Sequence, residues 1–375
     1  MNALKYAHQL VEFDSVSSRS NNAVSDFIEE QLKRFGCDVE RVHYEDENGI
    51  AKSNVIGKLG QGSGGLAYFG HTDVVPADDW VFDDHGPFQP TVKEGRLYGR
   101  GSCDMKGSVA CMLAAMEQVA AKDLRHPVYI TCTADEEIGY GGAREVAGRS
   151  EVFREMVVGE ARGIVGEPTM LEVVHGHKGT YGIVVTSHGE AAHSSTRAGK
   201  NANLAMIPFL QEMKAIHDES ETNPEWQNGD FDPPTISWNI GINDHTHAIN
   251  IKPPQSVCTV YFRPMPGQEP DQLVQRARQA AESCGLDFQV PRTALPMYVD
   301  PKSPYVLEVL ELANRDQSQT VSYGTDGCIF HEMKNLVVLG PGSIEKAHTA
   351  DEWIALEQLE KGTELYRKLI DRWSM

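Results

Sequence analysis

Long apolar runs, paired cysteine motifs and an excess of basic residues are all missing from this chain of 375 residues. No stretch approaches the roughly 18 apolar residues that a membrane-spanning helix needs, so we expect no membrane partner. The seven cysteines are odd in number and form no CxxC, which predicts a cytoplasmic chain with reduced thiols. Acidic residues outnumber basic ones by 54 to 34, and a formal net charge of −20 argues against nucleic acid as a partner.

Phosphate-binding loops and a signal peptide are also missing. The glycine-rich stretch GRGSCDMKG (99–107) lacks the pattern GxxxxGK[ST]. GQGSGG (60–65) matches GxGxxG but leads into a second strand, so we interpret it as a loop between strands. Residues 3–13 mix acids into an apolar pattern, which indicates an amphipathic helix and no signal peptide.

Short apolar runs separated by glycines indicate buried strands in the first and last parts of the chain. They are NVIGKL (54–59), GLAYFG (65–70), PVYITCT (127–133), GIVG (163–166) and NLVVLG (335–340). Apolar runs without alternation are typical of strands that are covered on both faces. Helical patterns precede or separate them, at 3–13, 22–35, 107–122, 142–147 and 304–314. This order predicts an α/β domain with a mostly parallel sheet.

Residues 175–290 follow a different pattern, in which strands with one exposed face are combined with two helices. The predicted order is strand 179–189, helix 201–218, strands 235–242 and 256–264, helix 271–285 and strand 286–290. The order βαββαβ suits a small antiparallel sheet with two helices on one face. We therefore predict one domain formed by 1–176 and 292–375, and an inserted α+β domain at 177–291.

Histidines and acids stand just past several predicted strands. They are His71 and Asp73, the run Asp135-Glu136-Glu137, Glu167 and, after a longer loop, His348. Because ligands bind at the carboxyl ends of parallel strands, these side chains are expected at one edge of the sheet. Cations there would relieve the repulsion between the neighbouring acids. Taken alone, each motif has a simpler interpretation, a solvated charged turn for 135–137 and a turn or helix cap for His71 and Asp73.

Several stretches, in sequence order, resemble the M20 family of dinuclear-metal peptidases and amidohydrolases. They are FGHTDVVP (69–76), LYGRGSCDMKG (97–107), TADEEIG (133–139), VGEPT (165–169), HKGTYG (177–182), HGEAAHSSTRAGKNAN (188–203) and LGPGSIEKAHTADEW (339–353). The likeness spans nearly the whole chain, including the inserted domain. Within the family, the C-terminal stretch resembles the acetylornithine deacetylase branch more than the succinyl-diaminopimelate desuccinylase branch.

The resemblance implies that five side chains hold two divalent metal ions. Asp104 would bridge the ions, while His71 and Glu167 would complete the site of one ion. Glu137 and His348 would complete the site of the other. Imidazole and carboxylate ligands suit Zn²⁺ first, with Co²⁺ or Mn²⁺ as substitutes.

The resemblance also implies three catalytic residues. Glu136 would act as the general base toward a water activated by the ions, and Asp73 would orient His71. His193, in the inserted domain, would reach the active site of a second subunit and stabilise the oxyanion. The inserted domain would then also be the dimerisation domain of a homodimer. The simpler interpretation of His193 is a loop histidine bonded to the backbone.

The residues implied to bind the substrate, above all its carboxylate, are Lys178, Asn250, Arg263 and Thr325. Arg263 follows an apolar strand, where a guanidinium can take a carboxylate through two hydrogen bonds, although a surface ion pair is the simpler interpretation. The stretch 243–254 departs from the family, since many relatives carry a glycine pair and NVIP there. His245 and His247 stand in it, and we expect them to be solvent-exposed or close to the substrate. The assignment of Asn250 rests on this departing stretch.

The implied reaction is hydrolysis of an N-acyl amino acid, with N-acetylornithine as the first candidate. Desuccinylation of succinyl-diaminopimelate, deacetylation of N-acetylcitrulline and di- or carboxypeptidase activity stay open, because one metal site can serve different pocket walls. Two other classes also stay open. A non-catalytic metal-binding scaffold would be favoured by a missing ligand. A metal-free glycosidase would need paired carboxylates without the histidines found here.

Overall fold

The structure, a computed structural model, describes residues 2–375. The described chain divides into two units, and each unit combines segments that are distant in sequence. Unit 1 contains the chain up to Gly176, Val299–Gln319 and Thr325–Met375. Unit 2 contains His177–Tyr298 and Thr320–Gly324. The predicted inserted domain, 177–291, lies within the main segment of unit 2.

Helices and strands follow one another along both units. The helices are α1 (Asn2–Val11), α2 (Asn22–Phe35), α3 (Lys106–Met116), α4 (Gly141–Arg149), α5 (Glu151–Val158), α6 (Ala202–Ser220), α7 (Pro270–Ser283), α8 (Pro304–Ala313) and α9 (Leu356–Trp373). The strands are β1 (Asp38–Glu45), β2 (Ala51–Leu59), β3 (Leu66–His71), β4 (Thr91–Lys93), β5 (Arg96–Tyr98), β6 (Val128–Thr133), β7 (Arg162–Val165), β8 (Val174–His177), β9 (Thr180–His188), β10 (Asn239–Asn243), β11 (Gln255–Phe262), β12 (Asp287–Ala294), β13 (Met297–Tyr298), β14 (Gln319–Val321), β15 (Asn335–Val338) and β16 (Trp353–Ala355).

The large sheet of unit 1 has the strand order β1-β2-β6-β3-β7-β15-β8. Strands β6, β3, β7 and β15 run parallel to one another, whereas β2 is antiparallel to β1 and β6, and β8 is antiparallel to β15. Every residue of β3 and β6 is buried, as expected for strands that are covered on both faces. The predicted α/β fold with a mostly parallel sheet is thereby confirmed. The carboxyl ends of the four parallel strands meet at one edge of the sheet.

Helix α3 lies in the centre of unit 1, and all of its residues are buried. It packs against α1, α9 and β3, which explains why its sequence is apolar on every side. The predicted helix over 107–122 was too long, because α3 ends at Met116. The residues that follow, Glu117 and Gln118, are exposed and offer no further surface to bury.

Unit 2 has the predicted order βαββαβ, with strands β9, β10, β11 and β12 and helices α6 and α7. The strands form an antiparallel sheet in the order β10-β11-β9-β12, and both helices pack against it. Strand β10 begins at Asn239, four residues later than predicted. Ser237 has a left-handed φ of 54°, which interrupts the extended chain before that point.

Within residues 2–375, no helix is both long enough and apolar enough to cross a membrane.

Candidate metal centre

The loops at the carboxyl edge of the large sheet bring imidazoles and carboxylates together. His71 is the last residue of β3, and Glu136 and Glu137 lie in the turn after β6. Glu167 follows β7, His348 lies in the loop after β15, and Asp104 precedes α3. All six belong to unit 1. Strand endings predicted five of the six at this edge and the family resemblance implied Asp104, and the structure places the side chains within reach of one another.

Asp104 occupies the middle of this cluster. Its Oδ1 lies 3.1 Å from Nε2 of His71, and its Oδ2 lies 3.3 Å from Nε2 of His348. On the first side, Nε2 of His71 is 3.6 Å from Glu167 Oε1. On the second side, Nε2 of His348 is 2.9 Å from Glu137 Oε2. Each oxygen of Asp104 therefore faces a different histidine, an arrangement in which one carboxylate could serve as a ligand to two ions.

Glu136 lies beside the first half of the cluster. Ligand atoms of His71, Glu136 and Glu167 lie within 4.8 Å of one another, as do those of His71, Asp104 and Glu137. This position suits a base that acts on a water between the two halves, and it is also close enough for a ligand. The division of work between Glu136 and Glu137 therefore stays a prediction.

Burial raises the pKa values of the three glutamates in this cluster, whereas hydrogen bonds to His348 and His71 outweigh burial at Asp104 and lower its pKa. Burial, and next the charge of Glu167, raise the pKa of Glu136 well above its usual value. Burial and the charge of Asp104 raise the pKa of Glu137 to about 7. Hydrogen bonds to Asp104 and Glu137 raise the pKa of His348 to about 10. Crowded buried acids of this kind need positive charge, and imidazole nitrogens with carboxylate oxygens are donors that fit Zn²⁺ and similar divalent ions.

Asp73 supports the turn that carries the two glutamates. Its carboxylate accepts hydrogen bonds from the backbone N–H groups of Glu136, at 3.2 Å, and Glu137, at 3.3 Å, and from the hydroxyl of Ser17 at 2.7 Å. Nδ1 of His71 lies 3.0 Å from the backbone carbonyl of Asp73 and 3.7 Å from its carboxylate. The imidazole is thus oriented first by the main chain of Asp73, while the carboxylate holds the glutamate turn.

Asp135 faces away from the cluster, although it is adjacent to the two glutamates. Its carboxylate accepts hydrogen bonds from Lys52 Nζ at 2.6 Å and from Tyr44 at 2.7 Å. The Lys52 and Asp135 side chains are both buried. The repulsion that the sequence suggested for 135–137 is therefore divided, because Lys52 neutralises one of the three acids. No local pattern could have identified Lys52, which lies on β2 and is remote in sequence.

The stretch YGTDG (323–327) contributes a further buried acid, Asp326, which the sequence did not identify as a candidate site residue. Asp326 Oδ2 accepts a hydrogen bond from Thr133 at 2.5 Å, at the end of β6. Its other oxygen, Oδ1, is buried without a hydrogen-bond partner in the described chain. The predicted substrate residue Thr325 is buried next to it, and its hydroxyl accepts from the backbone N–H of Gly327 at 3.0 Å.

The predicted substrate residues of unit 2 have different surroundings. Lys178 is fully buried, and its ammonium donates to the carbonyls of Pro233 and Thr235, both at 2.7 Å. Arg263 is half-buried, and its Nη1 has no hydrogen-bond partner in the part of the chain that the structure describes. Asn250 is exposed and follows a loop in which His245 and His247 are exposed too.

His193 lies in an exposed loop of unit 2. Its Nδ1 accepts from the backbone N–H of Ser195 at 3.3 Å and lies 2.7 Å from the hydroxyl of the same residue. An Nδ1 that accepts leaves the ring proton of the neutral imidazole on Nε2. His193 is therefore held in the tautomer that can donate a hydrogen bond to an oxyanion.

The mostly parallel sheet, the metal-ligand cluster at its edge and the separate antiparallel unit define a metal-dependent hydrolase of two units. Residues 67–372 match the model of Peptidase family M20/M25/M40, and the chain belongs to this family. The predicted family resemblance is confirmed, and the chain is a metal-dependent amidohydrolase.

Two similar proteins are bacterial acetylornithine deacetylases. The one from Proteus mirabilis (strain HI4320) is 32% identical over 374 residues, which cover 96% of this chain and 92% of that protein. The one from Myxococcus xanthus is 33% identical over 363 residues, which cover 94% of this chain and 92% of that protein.

Two solved structures show the same fold at low sequence identity. An M20 family metallo-carboxypeptidase from Sulfolobus solfataricus superposes with a TM-score of 0.76 at 16% identity, covering 99% of this chain and 98% of that chain. A dinuclear metal-binding peptidase of the M20 family from Bacillus subtilis gives 0.63 at 15% identity, covering 98% and 96%.

Proposed function

We propose that this chain removes the acyl group from an N-acyl amino acid and that N-acetylornithine is its substrate. The observation that carries the proposal is Asp104, whose two oxygens face His71 and His348 while a glutamate flanks each histidine. Similarity to acetylornithine deacetylases over nearly the full length supports the choice of acyl group and amine.

Two divalent ions, Zn²⁺ by preference and Co²⁺ or Mn²⁺ as substitutes, fit the donor set. We propose that His71, Asp104 and Glu167 hold one ion and that Asp104, Glu137 and His348 hold the other. Such ions supply Lewis acidity, which polarises a carbonyl oxygen and makes water a stronger acid.

Glu136 then serves as the proton carrier. Its carboxylate takes the proton of the attacking water, and the carboxyl group returns that proton to the nitrogen of the leaving amine. Burial and the charge of Glu167, which raise its pKa, make the carboxylate a stronger proton acceptor. Asp73 keeps the Glu136 backbone in place through the N–H group that it binds.

Arg263 is proposed to bind the carboxylate of the substrate. The unpartnered Nη1 supports this role, because a buried guanidinium N–H without an acceptor is costly unless a ligand supplies one. Lys178 uses two of its N–H groups on the carbonyls of Pro233 and Thr235, so we propose that it acts mainly by shaping that loop. Asn250 and Thr325 complete the proposed substrate contacts.

The chain is proposed to act as a homodimer through unit 2, in the cytoplasm. Strand β10 is an edge strand with an exposed Ile242, and α6 exposes Leu204 and Ile207. An unpaired strand edge with exposed apolar side chains is a surface that a second copy can cover. In such a dimer, Nε2 of the partner's His193 is proposed to donate to the oxyanion. The cytoplasmic location is supported by the cysteines, six of which are buried and none of which forms a disulfide within the described chain.

The test is amine release from a panel of N-acetylornithine, N-acetylcitrulline, succinyl-diaminopimelate and dipeptides. Each compound is offered to metal-free protein and to protein reloaded with Zn²⁺ or Co²⁺. We expect metal-dependent release from N-acetylornithine above all others. Release from another member of the panel would contradict the substrate and keep the reaction. No release from protein that holds two ions per chain would favour the non-catalytic scaffold.

N-acetylornithine and its α-carboxamide form a matched pair of compounds that tests whether Arg263 binds the substrate carboxylate. The Arg263→Lys variant is expected to raise KM for N-acetylornithine about tenfold or more, because an ammonium cannot form the forked pair with a carboxylate. For the α-carboxamide of the same compound, the variant and the wild type should differ little. An equal loss on both compounds would contradict the assignment.

A further inference from the structure

Glu352 is a fully buried carboxylate next to the loop that carries Asp104. Its Oε1 accepts from the backbone N–H of Cys103 at 2.9 Å and of Asp104 at 3.0 Å. Its Oε2 accepts from the backbone N–H of Gly101 at 2.9 Å and from Nη1 of Arg100 at 2.9 Å. All four hydrogen bonds are direct, and Glu352 is only 1% exposed. One carboxylate therefore fixes the backbone of the whole loop from 100 to 104.

Arg100 extends this network to two other segments of the metal centre. Its Nη1 also donates to the carbonyl of Thr349 at 3.0 Å, and its Nη2 donates to the carbonyl of Pro76 at 3.1 Å. Thr349 follows His348 directly, and Pro76 lies three positions after Asp73. The buried guanidinium thus ties together three chain segments that approach the cluster from different strands.

The backbone of His348 needs such support. Its φ of 60° lies in the left-handed region, which a residue with a β-carbon rarely adopts unless its surroundings hold it there. Arg100 binds the next carbonyl along the chain, and Glu352 anchors Arg100. Asp104 is held from the same point through its own N–H.

We propose that Glu352, together with Arg100, is a positioning residue. It holds Asp104 and His348, which form one half of the metal centre, in their ligating arrangement before any ion binds. The inference rests on the proposed function, since it takes Asp104 and His348 as ligands. Outer partners of this kind orient the ligating groups, and the ions then bind without reorganising the loop.

The near-isosteric variant Glu352→Gln removes this support. Each carboxylate oxygen accepts two N–H groups, so whichever oxygen becomes the amide NH₂ places a donor against two donors. The amide therefore has to turn or the loop has to move, and Asp104 moves with it. Glu357→Gln is the matched control, because Glu357 is exposed on α9 and pairs only with Lys361 in the described contacts.

Both variants are loaded with Co²⁺, and the bound ions and the visible absorption spectrum are measured before any assay. We expect Glu352→Gln to bind one of its two ions about 10- to 100-fold more weakly, and the spectrum of that ion to change. The ion held by His71, Asp104 and Glu167 should lose less affinity, because Asp104 is the one ligand of that ion that the Glu352 network holds, whereas the network holds both Asp104 and His348 at the other ion. In the assay, kcat should fall while KM stays within about twofold, since substrate-binding residues are unchanged. Glu357→Gln should match the wild type throughout.

The wild-type protein gives a second readout that does not depend on the variant folding. If the loop is formed in advance, the amide hydrogens of Gly101, Cys103 and Asp104 exchange slowly with deuterium even in metal-free protein. Fast exchange that becomes slow only after metal is added would overturn the inference, because the ions would then organise the loop.

The two proposals fail in different ways. If the wild type binds no divalent ion, the proposed function and this inference are both wrong. If the wild type binds two ions and Glu352→Gln matches it in affinity and spectrum, only the positioning role is wrong.

Discussion

Three consecutive acids, Asp135, Glu136 and Glu137, have three different electrostatic environments. Asp135 is neutralised by Lys52, whereas Glu137 pairs with His348 across the cluster. Glu136 lies between them, and burial and the charge of Glu167 raise its pKa well above its usual value. Identical or similar side chains can therefore perform separate tasks, because the fold gives each a different set of neighbours.

The variant Glu136→Gln separates the base from the ligands. We expect kcat to fall by about 10²- to 10⁴-fold, because the amide cannot carry a proton from water to the leaving amine. The metal content, measured by elemental analysis, should stay at the wild-type value. A nearly normal rate would contradict the base role, and loss of one ion would show that Glu136 is a ligand.

The backbone conformation of the turn between β6 and α4 depends on contacts from neighbouring elements. Asp135 has a left-handed φ of 58°, so the turn needs outside support. Support comes from Asp73 on one side and from Lys52 with Tyr44 on the other. The turn is thus held by Tyr44 on β1, by Lys52 on β2 and by Asp73, which lies just after β3.

Removing Lys52 should destabilise this turn strongly. The variant Lys52→Met leaves Asp135 buried without its cation, which is expected to lower the free energy of unfolding by about 3–5 kcal/mol. Urea unfolding measures the effect. Adding Asp135→Asn to Lys52→Met should restore part of the loss, because the remaining group is then uncharged. Tyr44→Phe, which removes one hydrogen bond, should cost only about 1 kcal/mol. A loss for Lys52→Met no larger than that of Tyr44→Phe would contradict the expectation.

Sequence patterns predicted those elements whose signal is local. Buried runs without alternation predicted β3, β6 and β7, and residues just beyond them became the cluster. Strands β4, β5 and β16 have three residues each, which is too short for any periodicity to show. Helix α9 was not predicted, although Leu359, Tyr366 and Ile370 are buried at helical spacing.

Sequence patterns could not predict pairs of residues that come into contact only in the folded structure. The pairs Lys52–Asp135 and Arg100–Glu352 join positions 83 and 252 residues apart. In the sequence, Lys52, Arg100 and Glu352 look like ordinary surface charges, and nothing distinguishes Asp135 from the two glutamates beside it. The buried, hydrogen-bonded environments of these four residues depend on strand order and loop packing, which a single sequence does not display.

The whole molecule is proposed to depend on two copies. The metal centre belongs to unit 1, whereas His193 belongs to unit 2, and the resemblance assigns it to the active site of the partner. A symmetric dimer would then carry two composite sites, each of them built from both chains.

Mixed dimers test this arrangement. Protein carrying His193→Ala and protein carrying Glu136→Gln should each be almost inactive alone. After mixing and exchange of subunits, activity should return to about a quarter of the wild-type value, because half of the dimers contain one intact site. The control is a mixture of Glu136→Gln with a double variant, Glu136→Gln and His193→Ala, which should stay inactive. No recovery in dimers shown to be mixed would place His193 outside the partner's site.

Residues Thr320–Gly324 belong to unit 2 although the chain before and after them belongs to unit 1. Within unit 2, the hydroxyl of Ser322 donates to the carbonyl of Asp232 at 2.6 Å, and Thr320 donates to the carbonyl of Asp230. The same stretch, 228–236, supplies the carbonyls that hold Lys178. Recombination at only two crossover points, around residues 177–298, therefore cannot transfer the whole of unit 2 from one relative to another. A chimaera between relatives has to inherit residues 320–324 from the same parent as residues 177–298, or the stretch 228–236 will lack the contacts it evolved with.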